Sequence, residues 1–125
     1  MNKERTNKMS DAYTIYHNPR CSKSRLALRL LRRKCDGVEV VKYLETPPPV
    51  ELLQEALKNF GRRDMLRRHE DAYREHIFSR EKSIQDEELA ALMHQHPEII
   101  QRPLVVAPDG RMALGRPPEN VEEIL

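Results

Sequence analysis

Tyr13-Thr14-Ile15-Tyr16-His17-Asn18-Pro19-Arg20-Cys21-Ser22-Lys23-Ser24-Arg25 packs a strand, a turn and a helix start into thirteen residues. Tyr13 to Tyr16 is a short β-prone run and His17-Asn18-Pro19 carries turn chemistry. Ser22 to Lys34 then repeats leucine at helical spacing. Cys21 therefore falls at or just before a helix N-terminus. Unpaired N–H groups and the positive end of the helix dipole favour an anion there, either a thiolate or a bound oxyanion.

Along the predicted helix Ser24, Ala27, Leu28, Leu31 and Cys35 share one face, widened by Leu30 and Lys34, while Arg25, Arg29, Arg32 and Arg33 take the opposite side. Asp36-Gly37 stops it, and Val38 to Leu44 is a β-branched run that reads as a second strand. Strand, helix and strand within about thirty residues imply parallel pairing of the two strands.

Beyond this unit, Glu45-Thr46-Pro47-Pro48-Pro49 is a rigid linker, and a helix resumes at Val50 and ends near Gly61. Arg62 to Ser83 is polar with only Met65, Leu66, Tyr73, Ile77 and Phe78 to bury, a pattern of short helices and turns. Ser83 followed by Asp86 and Glu87 resembles an N-cap, and Leu89, Leu92, Met93 and His96 form an amphipathic helix stopped by Pro97. Leu104 to Ala107, a Pro108-Asp109-Gly110 turn and Arg111 to Leu114 make a hairpin, and Pro117-Pro118-Glu119 opens a final helix. The order βαβ, helices, ββ, α is that of an α/β, thioredoxin-like fold with a mixed four-stranded sheet and an all-helical insertion at about 50–97. One domain is expected over 12–125. Met1 to Asp11 is polar and aperiodic and contains a second methionine at Met9, so it is expected to be a disordered tail.

Length and charge narrow the function classes. A chain of 125 residues fits one domain, and 34% charged residues with no Trp point to a modest core. The net charge of +2 comes from 22 basic and 20 acidic residues interleaved along the chain, which argues against a nucleic-acid tail or a polybasic membrane anchor. No apolar run reaches the roughly 18 residues of a membrane span, and the N-terminus lacks the apolar stretch of a signal peptide. A cytoplasmic monomer is expected. With only Cys21 and Cys35, a disulfide framework is ruled out, and in a reducing compartment each cysteine is either a core residue or a reagent.

A free cysteine is usually buried and inert. Cys21 departs from that pattern because its neighbours are Pro19, Arg20, Ser22 and Lys23, and cations at a helix start lower a thiol's pKa. Ser24 and the helix amides are within reach of its sulfur, and Arg25 lies one turn along. His17 either supports the thiolate electrostatically or caps the strand. Cys35 is about 21 Å away along the helix at 1.5 Å per residue, whereas a disulfide requires Cα atoms within about 7 Å. Position 24, where a C-x-x-C motif would carry its second sulfur, is Ser24. Cys35 is expected to be core, and any second thiol must come from another molecule. An oxyanion would need arginine forks, for which Arg67, Arg102 and Arg116 are candidates. A cis bond at Arg102-Pro103 would bring a backbone edge and Arg102 to the cysteine loop. His94-Gln95-His96 is not a metal pair, since i and i+2 diverge on a helix, and no metal is expected.

These residues resemble the glutaredoxin-dependent arsenate reductase family. H-N-P-R-C-S-K-S-R matches its His-x3-Cys-x3-Arg signature at His17, Cys21 and Arg25. Further matches are Y-L-E-T-P-P at Tyr43 to Pro48, L-R at Leu66-Arg67, R-P-L-V-V at Arg102 to Val106 and G-R-P-P-E at Gly115 to Glu119. The resemblance implies Cys21 as the nucleophile that attacks arsenate or a related oxyanion, with His17 and Ser24 aiding the thiolate and Arg67, Arg102 and Arg116 binding the anion. Arg25 is grouped with the anion's ligands. It also implies glutathione as co-substrate and glutaredoxin as partner, with no bound cofactor. Arg20 and Lys23 depart from the smaller residues that the family carries beside the cysteine.

Two other functions fit the same architecture. One is a glutaredoxin-like thiol–disulfide reductase, for which Arg102 and Arg116 would be dispensable. The other is a transcription regulator resembling Spx, a group that often carries C-x-x-C where this chain has Ser24.

Overall fold

The computed structural model describes residues 12–125, and the expected tail at Met1 to Asp11 lies outside them. The chain divides into two compact units, one containing 12–42 and Arg102–Leu125, the other Tyr43–Gln101.

The first unit holds the sheet. β1 (Tyr13–His17) is followed by α1 (Ser22–Lys34) and β2 (Val38–Lys42), and the later strands β3 (Leu104–Val106) and β4 (Met112–Leu114) complete the order β2-β1-β3-β4. β1 and β2 are parallel, with Tyr13 opposite Val38 and His17 opposite Lys42. β1 and β3 are antiparallel, as are β3 and β4. The predicted βαβ unit and hairpin are thus present. The second strand stops at Lys42 rather than Leu44, because Lys42 pairs with His17, the last residue of β1, and the chain then turns. The β3–β4 turn depends on Gly110, whose φ of 94° lies in the region that favours glycine.

α1 packs its predicted face inward: Ser24, Ala27 and Leu31 are buried. Ala27 and Leu31 join Ile15, Val105, Ala107, Ala113, Val121 and Ile124 in one core cluster, with Leu28 and Cys35 packed at its margin. Removing a side chain such as Leu31 from such a core costs about 2–5 kcal/mol. The final helix is a 3₁₀ segment, Pro118–Ile124, rather than an α-helix, and Asn120 N–H and Leu125 N–H each reach back three residues, to the Pro117 and Glu122 carbonyls. It seals the core through Val121 and Ile124, and the Ile124 carbonyl accepts from the Tyr13 hydroxyl at 2.8 Å.

The second unit, Tyr43–Gln101, carries the helices of the insertion, the first of which begins at Val50. It contains α2 (Val50–Met65), α3 (Asp71–His76), α4 (Asp86–Gln95) and 3₁₀ turns at Phe78–Arg80 and Pro97–Ile99. Leu53, Ala56, Leu57 and Met65 of α2 are buried, as are Leu89, Ala90 and Met93 of α4. The predicted stop at Gly61 is a break rather than an end. Its φ of 82° interrupts α2, and one further turn follows to Met65. Arg62 just beyond it donates to Asp86 Oδ1 and to the Glu81 and Ile84 carbonyls, which explains why the helical register resumes. Ser83 is not the N-cap. Gln85 takes that position without a side-chain bond, Ser83 donates to the Arg80 carbonyl, and Asp86, Glu87 and Glu88 supply negative charge to the first turn of α4 instead. No helix among the described residues is long and apolar enough to cross a membrane.

Candidate active site

The end of β1 and the start of α1 are joined by a turn that Asn18 organises. Its side-chain Oδ1 accepts from Arg20 N–H at 3.0 Å, its carbonyl accepts from Cys21 N–H at 3.0 Å, and its own N–H donates to Ser24 Oγ at 3.1 Å. Cys21 is left as the N-cap of α1 in extended conformation (φ −95°, ψ 122°), with no side-chain oxygen capping the helix. The first-turn amides are then free to face the cysteine sulfur.

The thiol feels two opposing influences. Burial pushes its pKa up, but the Ser24 amide, the Arg102 side chain and the Lys23 amide hydrogen-bond to the sulfur, and the charge of Arg102 adds to them. The result is a pKa below the ordinary thiol value. Arg116 Nη1 lies 3.9 Å from the sulfur and donates at 3.1 Å to the Arg102 carbonyl. The shorter bond anchors Arg116, while Arg102 supplies the stronger pull on the thiol. Both arginines precede cis prolines: Arg102-Pro103, whose isomer the sequence left open, and Arg116-Pro117.

Ser24 acts through its backbone. Its hydroxyl oxygen is engaged by Asn18 N–H and lies 2.6 Å from His17 Nδ1, so its amide, not its side chain, meets the sulfur. His17 is buried. Burial, followed by the charges of Arg32, Arg25 and Lys42, lowers its pKa, which keeps the ring neutral near pH 7. It therefore positions the turn through Ser24 rather than lending positive charge to the thiolate. Arg25 is exposed, and its Nη1 donates to the Pro19 carbonyl at 2.9 Å, bracing the same turn.

Cys35, at the other end of α1, has its thiol pushed up by burial and by the nearby Asp36 carboxylate. Arg67 belongs to the helical unit. Its N–H donates to the Ile99 carbonyl at 2.8 Å, and its guanidinium donates to Glu70 Oε2 at 3.3 Å and to Gln101 Oε1 at 3.4 Å.

Residues 16–124 match the ArsC family. This chain belongs to the ArsC family. Among the family's curated members, the uncharacterized protein YfgD of Escherichia coli K12 is 43% identical over 120 residues, covering 94% of this chain and 99% of the relative. An arsenate reductase of Neisseria meningitidis serogroup A is 41% identical over 114 residues, covering 89% of this chain and 96% of the relative. The solved structure of an arsenate reductase from Vibrio cholerae superposes with a TM-score of 0.79 at 44% identity, covering 91% of this chain and 98% of that one. The fold is the thioredoxin-like fold of ArsC arsenate reductases.

Two residues that shape the site of this ArsC-family chain, Asn18 and Gly115, went without a role in the sequence reading. Asn18 is the hub of the turn, and the Asn-Pro pair after a strand was its only signal. Gly115 is the second. A Cβ there would lie 2.8 Å from Pro103 Cγ and 3.2 Å from Ala27 Cβ, so glycine alone lets the chain leading to Arg116 pass against Pro103 and α1. The two histidines of His94-Gln95-His96 have separate surroundings: His94 Nδ1 lies 2.7 Å from the Pro48 carbonyl, and the His96 ring stacks on His76 at 4.0 Å.

Proposed function

We propose that this protein reduces arsenate to arsenite, with the Cys21 thiolate as nucleophile and glutathione and glutaredoxin as the source of electrons. The observation that carries this reading is the sulfur itself: it is held at a helix start by two backbone amides, with Arg102 against it and Arg116 3.9 Å away. An anion that can accept a nucleophile is attracted by the same groups that keep the thiol ionised.

The chemistry follows from what the site lacks as much as from what it holds. The Cys21 sulfur bonds to arsenic and an arsenate oxygen leaves as water, its protons drawn from solvent. Arg102 and Arg116 balance the charge on the remaining oxygens. Arg67 is carried as a third arginine for the anion because it sits in the Leu66-Arg67 motif. Reducing arsenic from the pentavalent to the trivalent state takes two electrons, and two external thiols supply them by becoming one disulfide, so no bound cofactor is needed. Cys35 cannot be one of those thiols, since the thirteen residues of α1 separate it from Cys21 by about 20 Å. Glutathione displaces a second arsenic-bound oxygen as water, the glutaredoxin thiolate attacks the glutathione sulfur to form the disulfide and leaves the sulfur–arsenic electron pair on arsenic, and water then cleaves the Cys21–arsenic bond to release arsenite and the Cys21 thiolate.

The test is arsenate reduction coupled to glutathione and glutaredoxin. Wild type should turn over and Cys21→Ser should not; equal rates would remove Cys21 from the reaction. Arg102→Ala separates this reading from disulfide exchange, because oxyanion turnover should collapse while reduction of a mixed glutathione disulfide survives.

A further inference from the structure

The outer side of α1 is the most one-sided run of charge in the chain. Residues 20–34 hold seven of the 22 basic residues and none of the 20 acidic ones. With Ser24, Ala27 and Leu31 buried, Arg25, Arg29, Arg32 and Arg33 project outward, and all four are exposed. Lys34 at the end is paired with Glu122 at 3.9 Å and Arg25 is bonded to the Pro19 carbonyl. Arg29, Arg32 and Arg33 take part in no ion pair among the described residues.

Leu26 lies within this ridge and is 45% exposed, one of three large hydrophobic residues to be so open among the described residues. It shares a helix face with Arg29 and Arg33, three and seven positions on. It is also about 7.5 Å along the axis from Cys21 at 1.5 Å per residue. An apolar side chain ringed by arginines has the make-up of a protein interface, in which arginine and buried apolar anchors carry the affinity. A phosphate backbone would use the arginines and leave Leu26 idle, whereas an acidic protein surface with an apolar centre uses both.

We propose that the outer face of α1, centred on Leu26, Arg29 and Arg33, is the docking surface for an acidic protein whose thiol takes up the glutathione sulfur from the adduct on Cys21. This rests on the reading of Cys21 as a nucleophile regenerated by an external thiol. The helix that presents the cysteine at one end presents the ridge along its side, so a partner lying on the ridge has its reactive group beside the sulfur. Opposite charge across such a surface accelerates encounter and makes it sensitive to salt.

The experiment measures glutaredoxin binding to the Cys21→Ser protein by calorimetry, at low and high salt, for the parent and for Arg29→Glu/Arg33→Glu and Leu26→Ser variants shown to be folded by circular dichroism. The parent should bind with an affinity that drops as salt rises, and each variant should weaken binding by about tenfold or more. In otherwise wild-type protein, the same variants should leave the rate of Cys21 alkylation by iodoacetamide unchanged, because none of the three residues is among the groups that lower its pKa. Unchanged affinity in the variants, absence of binding by the parent, or tighter binding of duplex DNA than of glutaredoxin on this face would overturn the proposal. The reading of Cys21 fails separately, if Cys21→Ser still reduces arsenate, and that result leaves the binding measurement intact.

Discussion

The two cysteines sit at opposite ends of one helix and meet opposite chemistry. Cys21 lies where α1 begins. Amides of Ser24 and Lys23 and the Arg102 guanidinium face it, and its thiol is drawn below the ordinary value despite burial. Cys35 lies where α1 ends, partly buried in the core margin beside Asp36, and its thiol is pushed up. The helix contributes to both outcomes, since its free N–H groups welcome a negative charge at one end and its carbonyls oppose one at the other. One thiol is drawn toward ionisation and the other away from it, although the residue type is the same.

The widest gap between the two should appear in turnover. Cys21→Ser is expected to lower arsenate reduction by at least ~1,000-fold, as loss of a nucleophile does, while Cys35→Ala leaves the rate near wild type. A large loss in Cys35→Ala would break the contrast by making the second thiol a participant. Arg102→Ala should cost about 100-fold in kcat/KM for the oxyanion, with Arg116→Ala smaller because that side chain touches the sulfur at only 3.9 Å. Reversal of that order would move the stronger pull to Arg116.

Alkylation sharpens the same comparison without any substrate. Iodoacetamide labelling followed site by site across pH should reach half its maximal rate at lower pH for Cys21 than for Cys35, because a lowered pKa ionises the thiol earlier in the titration. Coincident profiles would show that the two helix ends do not differ. Gly115→Ala tests the approach of Arg116 through packing. The added methyl meets Pro103 at 2.8 Å, and a destabilisation of about 1–3 kcal/mol in denaturant melts is expected, together with a rise of the Cys21 pKa toward the ordinary value.

The smallest effect concerns His17. Its folded-state pKa lies below the ordinary 6.5, so between the two values the unfolded chain holds more protons and stability falls as pH falls through that window. His17→Gln should flatten this part of the stability–pH curve. An unchanged slope would mean that the dependence arises elsewhere.

Much of this site was readable in the residues alone. The helix bounds Ser22 and Lys34, the placement of Cys21 just before them and the parallel strand pair follow from hydrophobic spacing and turn residues, which are written in contiguous sequence. Short-range signals misled at ends and in the type of the last helix, which is 3₁₀. Ser83 looked like a cap because serine favours that position, yet Gln85 took it, and Tyr43-Leu44 looked β-prone although β1 had no residue left to pair with them. Cap and strand limits depend on what the rest of the chain offers, which local propensity does not encode.

Sequence alone thus determined a strand–turn–helix presenting one cysteine, with no second thiol near it, in a chain of the ArsC family. Tertiary structure decided which groups meet the sulfur. Arg102 and Arg116 are eighty-one and ninety-five residues beyond Cys21 and arrive through β3, β4 and the close pass of Gly115 on Pro103. The Ser24 amide replaced the expected hydroxyl because His17 and Asn18 had already engaged that oxygen. Arginine carries the same charge wherever it stands in a chain, so its role is set by which distant carbonyls and side chains hold its guanidinium in place.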